Sequence, residues 1–224
     1  MQDSPSRRSQ VEALVRLART RRDNSELEVR LGTHSGIFDP NVGRGLFERL
    51  RTALELSEFV QTRTREAMHD YFFDSGGRRL RTRVHFDSRN MVCSVCTVAK
   101  APVDQVLLPP AGSKQRHSLR IQLSSEEPCA DVPRAVTPVH VRIVSRFSYV
   151  VGAWRYDLSV VASGDSRREA ERSLRERNFA YLVECELMDG SYLDSRSDAY
   201  VAESIVLKMA SLCTTMHWDL GGSE

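Results

Sequence analysis

The chain has 224 residues, 41% of them hydrophobic and 28% charged, enough apolar material for one soluble domain that needs no disulfide staples. Its 32 Lys and Arg stand against 30 Asp and Glu, a net +2, so bulk charge argues little for nucleic acid and local placement must decide. No apolar run reaches the roughly 20 residues of a bilayer span, Met1 to Gln10 holds no signal-peptide core, and five irregularly spaced cysteines suit reduced thiols; an intracellular protein without membrane partners is expected.

In chain order, Val11, Leu14, Val15 and Ala18 fall on one helical face and predict a basic amphipathic helix over about 9–21. Glu26-Leu-Glu28-Val-Arg30 then alternates as a strand does, carboxylates to one face and Leu27, Val29 and Leu31 to the other. A second helix is predicted after Asp39-Pro40, with Asp39 as cap and Pro40 in the first turn, through Leu46, Phe47, Leu50 and Leu54. Strands are predicted at Phe59 to Arg65, Asp70 to Phe73, Arg79 to Phe86, Met91 to Lys100, Ser118 to Ser125, Val139 to Val150, Trp154 to Ala162 and Phe179 to Leu187. Gly164 to Asn178 reads as either a solvated helix or a loop, and a last helix over about 198–215 buries Ala202, Ile205, Val206, Met209 and Leu212.

Short links imply antiparallel neighbours, and so many strands avoid free edges by closing. The expected class is α+β, mostly β: an eight-stranded antiparallel barrel with flanking helices in a single domain over 1–224, its core at about 25–188.

The period of two puts charge on one face of strand after strand: Arg79, Arg81 and Arg83; Arg120, Gln122, Ser124 and Glu126; Arg142 and Arg146; Arg155, Asp157 and Ser159; Glu184 and Glu186. A single such strand is ordinarily a solvated outer face. Six together, counting the strand of Glu26 and Glu28, with both signs interleaved, fit a polar tunnel or cleft better. Grouped carboxylates inside one require cations, either basic side chains or a hard divalent metal. Such an interior suits hydrolysis of a terminal phosphoanhydride, with guanidinium groups gripping phosphates and a carboxylate positioning water. No Walker-type glycine loop is present. Cys93-Ser-Val-Cys96 is better read as structural than as a zinc site, because strand residues three apart face opposite sides and no second pair completes a tetrahedron.

Taken together, these segments resemble the triphosphate tunnel metalloenzymes, specifically the fungal, protozoan and viral mRNA-capping RNA 5′-triphosphatases. Glu26-Leu-Glu28-Val-Arg30-Leu-Gly is similar to the first metal-binding strand, Tyr181-Leu-Val-Glu184-Cys-Glu186-Leu to the closing acidic strand, and Trp154-Arg-Tyr-Asp157-Leu-Ser159-Val-Val to the Trp-x-x-Asp-hydrophobe-Thr-x-Val strand. The resemblance implies Glu26, Glu28 and Glu186 as ligands of Mg²⁺ or Mn²⁺, and Glu184 as an essential neighbour. It further implies Arg83 (with Arg81 second), Lys100, Arg142 and Arg146 on the phosphates, with Glu126, Asp157 and Ser159 fixing those cations or the water. The implied substrate is 5′-triphosphate RNA, or free nucleoside triphosphates with manganese. A separate guanylyltransferase is the implied partner, and residence would be nuclear if capping occurs there.

Val144 stands where the family has a phosphate-binding lysine and Leu182 where the closing strand has its first glutamate. An ion pair exchanged for packing accounts for both, and predicts that the two side chains meet inside the tunnel. Two other readings stay open: a tunnel enzyme for inorganic tripolyphosphate, and a module that binds 5′-triphosphate ends without cleaving them. Oligomeric state is not legible in the sequence.

Overall fold

The computed structural model describes residues 6–21, 24–110, 116–129 and 136–213. In chain order the elements are α1 (Arg7–Thr20), β1 (Ser25–Ser35), β2 (Ile37–Asp39), α2 (Arg44–Leu56), β3 (Thr62–Ser75), β4 (Arg78–Phe86), β5 (Val92–Leu108), β6 (His117–Pro128), β7 (His140–Val151), β8 (Trp154–Gly164), α3 (Arg167–Arg175), β9 (Ala180–Leu187), α4 (Ser191–Asp194) and α5 (Asp198–Leu212).

The strands run in the order β2-β1-β6-β5-β4-β3-β7-β8-β9, all antiparallel, and β1 also pairs with β9. That last pairing closes an eight-stranded barrel, with β2 folded back on the end of β1. Closure leaves the eight strands without free edges.

The barrel is inverted relative to a water-soluble barrel with an apolar filling. Outward-facing Leu27, Val29 and Leu31 of β1, Leu119, Ile121 and Leu123 of β6 and Val183 and Cys185 of β9 are buried in one cluster with Val11, Leu14 and Val15 of α1, Phe47 and Leu50 of α2, and Val201, Ile205 and Met209 of α5. The hydrophobic core therefore lies between the barrel wall and the helices, and the lumen is left to charge. Arg19 ties α1 to the start of α5, reaching Asp198 at 2.7 Å.

Several boundaries differ from the sequence expectation. Phe59 to Arg65 and Asp70 to Phe73 belong to one strand, β3, which begins at Thr62 and pairs continuously with β7; Phe59 lies outside it and is exposed. The stretch Glu66-Ala67-Met68-His69 hides that continuity, because its two polar residues are three apart and break the alternation of a half-buried strand.

Strand β5 runs past Lys100 to Leu108, absorbing Pro102 at a register shift between Pro102 and Asp104, the irregularity at which proline is tolerated. Asp39 does not cap α2: it ends β2, its side chain accepts from the Asn41 N–H, and the cap position is Gly43. The ambiguous 164–178 segment holds α3, whose N-cap Ser166 accepts from the Glu169 N–H. The last helix is described to Leu212, and the expected residues beyond 213 lie outside the described set.

Two glycine features shape the ends of the barrel. Gly76 and Gly77, at φ 56° and 80°, make the tight β3–β4 turn. Gly32 faces the lumen, and a Cβ there would lie 2.3 Å from the Asp39 carbonyl oxygen and 2.6 Å from the Phe38 ring. Only the missing side chain lets β2 lie back with Phe38 over the barrel end.

Candidate functional site

The lumen is a cavity of about 400 Å³. Nine Arg and Lys side chains and five carboxylates line it, with Phe72, Pro102, Gln105, Gln122, Val144, Ser159, Val161 and Leu182. Alternation on each strand delivers them: β1 contributes Glu26, Glu28 and Arg30, and β9 contributes Leu182, Glu184 and Glu186. The β1–β9 register sets Glu28 opposite Glu186 and Arg30 opposite Glu184.

Most of the charge is paired across strands. Asp70 of β3, 3% exposed, takes a bidentate fork from Arg83 of β4 at 2.7 and 2.9 Å. Arg146 reaches Asp157 at 2.9 Å and Ser159 at 3.2 Å and lies 3.8 Å from Glu184. Asp157 is a hub: 2% exposed, it also accepts from Ser148 at 2.6 Å and Arg155 at 3.0 Å.

Arg155 goes on to Glu186 at 2.6 Å, and Arg30 to Glu184 at 2.7 Å and Glu28 at 3.0 Å. Lys100 contacts Glu26 and lies 3.1 Å from Glu126, which also takes Arg81 at 3.0 Å. Glu126 and Asp157 thus stand behind the lining and hold cations that face the cavity.

The acidic side chains differ in ionisation. Burial alone would raise Glu184, but Arg30, Arg146, Lys100 and Arg142 outweigh it and lower its pKa to about 2. Glu186 is pushed up to about 7, first by burial and then by Glu26, with Arg155 opposing. Glu28 is raised as well, chiefly by burial, and its Oε1 is buried without a hydrogen-bond partner. Glu26 is held below its usual range, Lys100 overcoming the effect of burial.

Among the described residues no group of three His, Cys, Asp or Glu side chains stands assembled to hold a metal ion. Each of the three carboxylates is instead paired with a cation, Glu26 with Lys100, Glu186 with Arg155 and Glu28 with Arg30. The donor chemistry nevertheless fits a hard divalent cation. Three carboxylates sit on adjacent strands, two with raised pKa, and one buried carboxylate oxygen has no partner.

The lining contains Arg81, Arg83, Lys100, Arg142, Arg146, Ser159 and Glu184 as well as Glu26, Glu28 and Glu186. Val144 and Leu182 also face the cavity, and they share one small apolar cluster with Met68, Val161 and Ala180. Sequence reasoning put Arg120 and Arg155 on the charged faces without giving them a role, and it passed over Asp70 and Arg30. The period of two does put Arg30 on the face of Glu26 and Glu28, and Arg155 on that of Asp157. Asp70 carried no such signal, because its partner is fixed by the β3–β4 register.

The rims are unlike. One is built from the start of β1 and end of β9, with Glu26, Glu186 and Arg155. The opposite rim carries Arg120 stacked 4.6 Å above the Phe38 ring, and Arg79 and Arg142 at 5.0 and 5.1 Å over Phe72. Burial and the nearby Arg30 push both Arg120 and Arg142 below the usual guanidinium range.

No family profile matches the chain, and no curated protein is significantly similar in sequence. Solved structures match it in fold. The Schizosaccharomyces pombe RNA triphosphatase Pct1 superposes with a TM-score of 0.69 at 15% identity, over 94% of this chain and 92% of that one; it has also been solved in complex with the Spt5 CTD. The RNA triphosphatase domain of a trifunctional mimivirus mRNA capping enzyme gives 0.64 at 14% identity, over 92% and 98%. A chain of the S. pombe Mediator head module gives 0.51 at 12% identity, over 87% and 97%.

Proposed function

We propose that this chain, which has the fold of the RNA triphosphatases, is a triphosphate tunnel metalloenzyme of the mRNA-capping branch that removes the γ-phosphate from 5′-triphosphate RNA. The observation that carries the reading is the lumen itself: a surplus of ordered cations around a wall of three carboxylates, one with a buried, unpartnered oxygen.

Glu26, Glu28 and Glu186 would hold Mg²⁺ or Mn²⁺. The ion, when bound, supplies Lewis-acid neutralisation of charge on the phosphate oxygens. The chain's own residues do the rest.

Arg83 and Arg146, locked by Asp70 and by Asp157 with Ser159, present guanidinium groups in fixed orientation to the phosphates. Lys100 and Arg81, steadied by Glu126, and Arg142 complete the grip. Glu184, held ionised among four cations, accepts a hydrogen bond that orients the attacking water, whose proton leaves on the orthophosphate. The water oxygen bonds to the γ-phosphorus as the bridging β–γ P–O bond breaks, giving orthophosphate and a diphosphate RNA end. That end suits a separate guanylyltransferase, and residence in the nucleus follows if capping occurs there. No helix among the described residues is long and apolar enough to cross a membrane.

Metal-dependent phosphate release should be faster from triphosphate-ended RNA than from inorganic tripolyphosphate. Arg146→Ala should lower kcat about 10²-fold on either substrate, the scale for removing one fixed donor to developing charge. Preference for tripolyphosphate would make the chain a tunnel tripolyphosphatase. A binding-only reading is favoured by the apolar Val144 and Leu182 in the lumen. Metal-independent RNA binding with no release would establish it.

A further inference from the structure

Every strand of the barrel contributes to the rim opposite Glu26 and Glu186: the ends of β1, β3, β5 and β8 and the starts of β4, β6, β7 and β9. There Arg79, Arg120 and Arg142 face the opening, and among the described residues none of the three has a carboxylate within ion-pair distance. Arg120 Nε is buried without a hydrogen-bond partner.

The remaining lumen arginines are each held by Asp or Glu, so unspent positive charge concentrates at one end. The same rim carries the aromatic rings. Phe38 occupies the space left by the missing side chain of Gly32, and Phe72 lies beneath both Arg79 and Arg142.

Guanidinium groups free of carboxylates and layered on aromatic rings suit a single-stranded polynucleotide, whose phosphates meet their charge and whose bases stack on guanidinium planes backed by the rings. Inorganic polyphosphate would use the arginines and leave the rings without a role.

Building on the proposed function, we propose that RNA enters the tunnel by the Phe38–Phe72 rim, its first nucleosides stacked on that rim and its triphosphate pointing toward Glu26 and Glu186. The rim is then the element that distinguishes a polynucleotide from a free triphosphate. Arg79 is exposed, so its role there is separable from the paired interior.

The test uses the full chain with Mg²⁺ and an RNA oligonucleotide bearing a β,γ-imido 5′-triphosphate and 5-iodouridine at its first position. Affinity is followed by fluorescence anisotropy across a salt series, and photo-crosslinked peptides are mapped. Crosslinks are expected in the peptides of Phe38 or Phe72.

Arg79→Ala should reduce the slope of log K against log salt by about 0.7, one phosphate contact to a single strand. Phe38→Leu, at a ring outside the cavity lining, should weaken RNA binding about tenfold while leaving tripolyphosphate affinity within about twofold. Melting temperatures of the variants close to that of the native chain exclude misfolding as the cause.

Crosslinks confined to the opposite rim, in the peptides of Trp154 or Arg155, or equal losses for RNA and tripolyphosphate, would overturn the assigned polarity alone. RNA that binds no better with a 5′-triphosphate than with a 5′-hydroxyl would overturn the triphosphatase reading as well.

Discussion

Asp70 and Arg83 illustrate how the lumen stores stability in pairs. Burial would raise the Asp70 pKa, but the Arg83 fork overcomes it and the net shift is downward. A carboxyl with a lowered folded-state pKa contributes stability that is full above its ordinary value of 3.8 and is lost as pH falls through the folded value. Asp70→Asn should therefore flatten the acid limb of the stability–pH curve. It should also cost about 3 kcal/mol at neutral pH, because Arg83 is left buried and unpaired; denaturant melts from pH 2 to 7 check both.

Glu186 has the opposite sign. With its carboxyl raised to about 7, protons compete with a metal ion, so Mn²⁺ affinity measured by calorimetry should climb as pH rises from 6 to 8. A flat profile would remove Glu186 from the ligand set. Val144 and Leu182 supply a third case. Val144→Lys alone should destabilise the chain by a few kcal/mol, and adding Leu182→Glu should recover most of the loss in a double-mutant cycle. Two independent, additive losses would contradict the exchange of an ion pair for packing.

Strand β1 shows at the level of one element what alternation can and cannot reveal. The Glu26, Glu28 and Arg30 face and the Leu27, Val29 and Leu31 face were legible from residue order, and so were the buried stripes of α1, α2 and α5, because periodicity records which side an element buries. Legibility ends where a partner strand supplies the meaning. Asp70 looks like an ordinary strand residue until the β3–β4 register puts Arg83 beside it, and Asp39 looks like a helix cap until β2 claims it.

Gly32 is a further instance, its role fixed by β2 lying against its face. Gly32→Ala should force Phe38 and the Asp39 carbonyl aside and lower stability by about 1–3 kcal/mol, as overpacking does. Thermal melting checks the cost, and a variant as stable as the native chain would mean that β2 moves freely.

The whole molecule follows from placing its hydrophobic core outside the barrel. Helices α1, α2 and α5 shield the outer wall, and the wall in turn holds the lumen charges in register, with only the small cluster around Met68, Val144 and Leu182 apolar inside. Ile205 is fully buried under that arrangement, and Ile205→Ala should cost about 2–5 kcal/mol. If the barrel and helices share one core, melts followed by tryptophan fluorescence and by far-UV circular dichroism should coincide for this variant. Separate transitions would mean that the barrel stands without its helices.

The barrel closure and the polar lumen were legible in the chain, and the pairing of Lys100 with Glu26 and of Arg155 with Glu186 was not. Side-chain pairing across three strands depends on geometry that no linear pattern records.

The central claim is that the carboxylate wall and the cationic lumen act together on a triphosphate end. Release of labelled γ-phosphate from triphosphate-ended RNA, with Mg²⁺ or Mn²⁺ and with chelator, tests it directly when the native chain is compared with Glu28→Ala and Glu186→Ala. Metal-dependent release by the native chain that disappears in both folded variants is the predicted result. Release that persists in both, or none from the native chain with either metal, would contradict it.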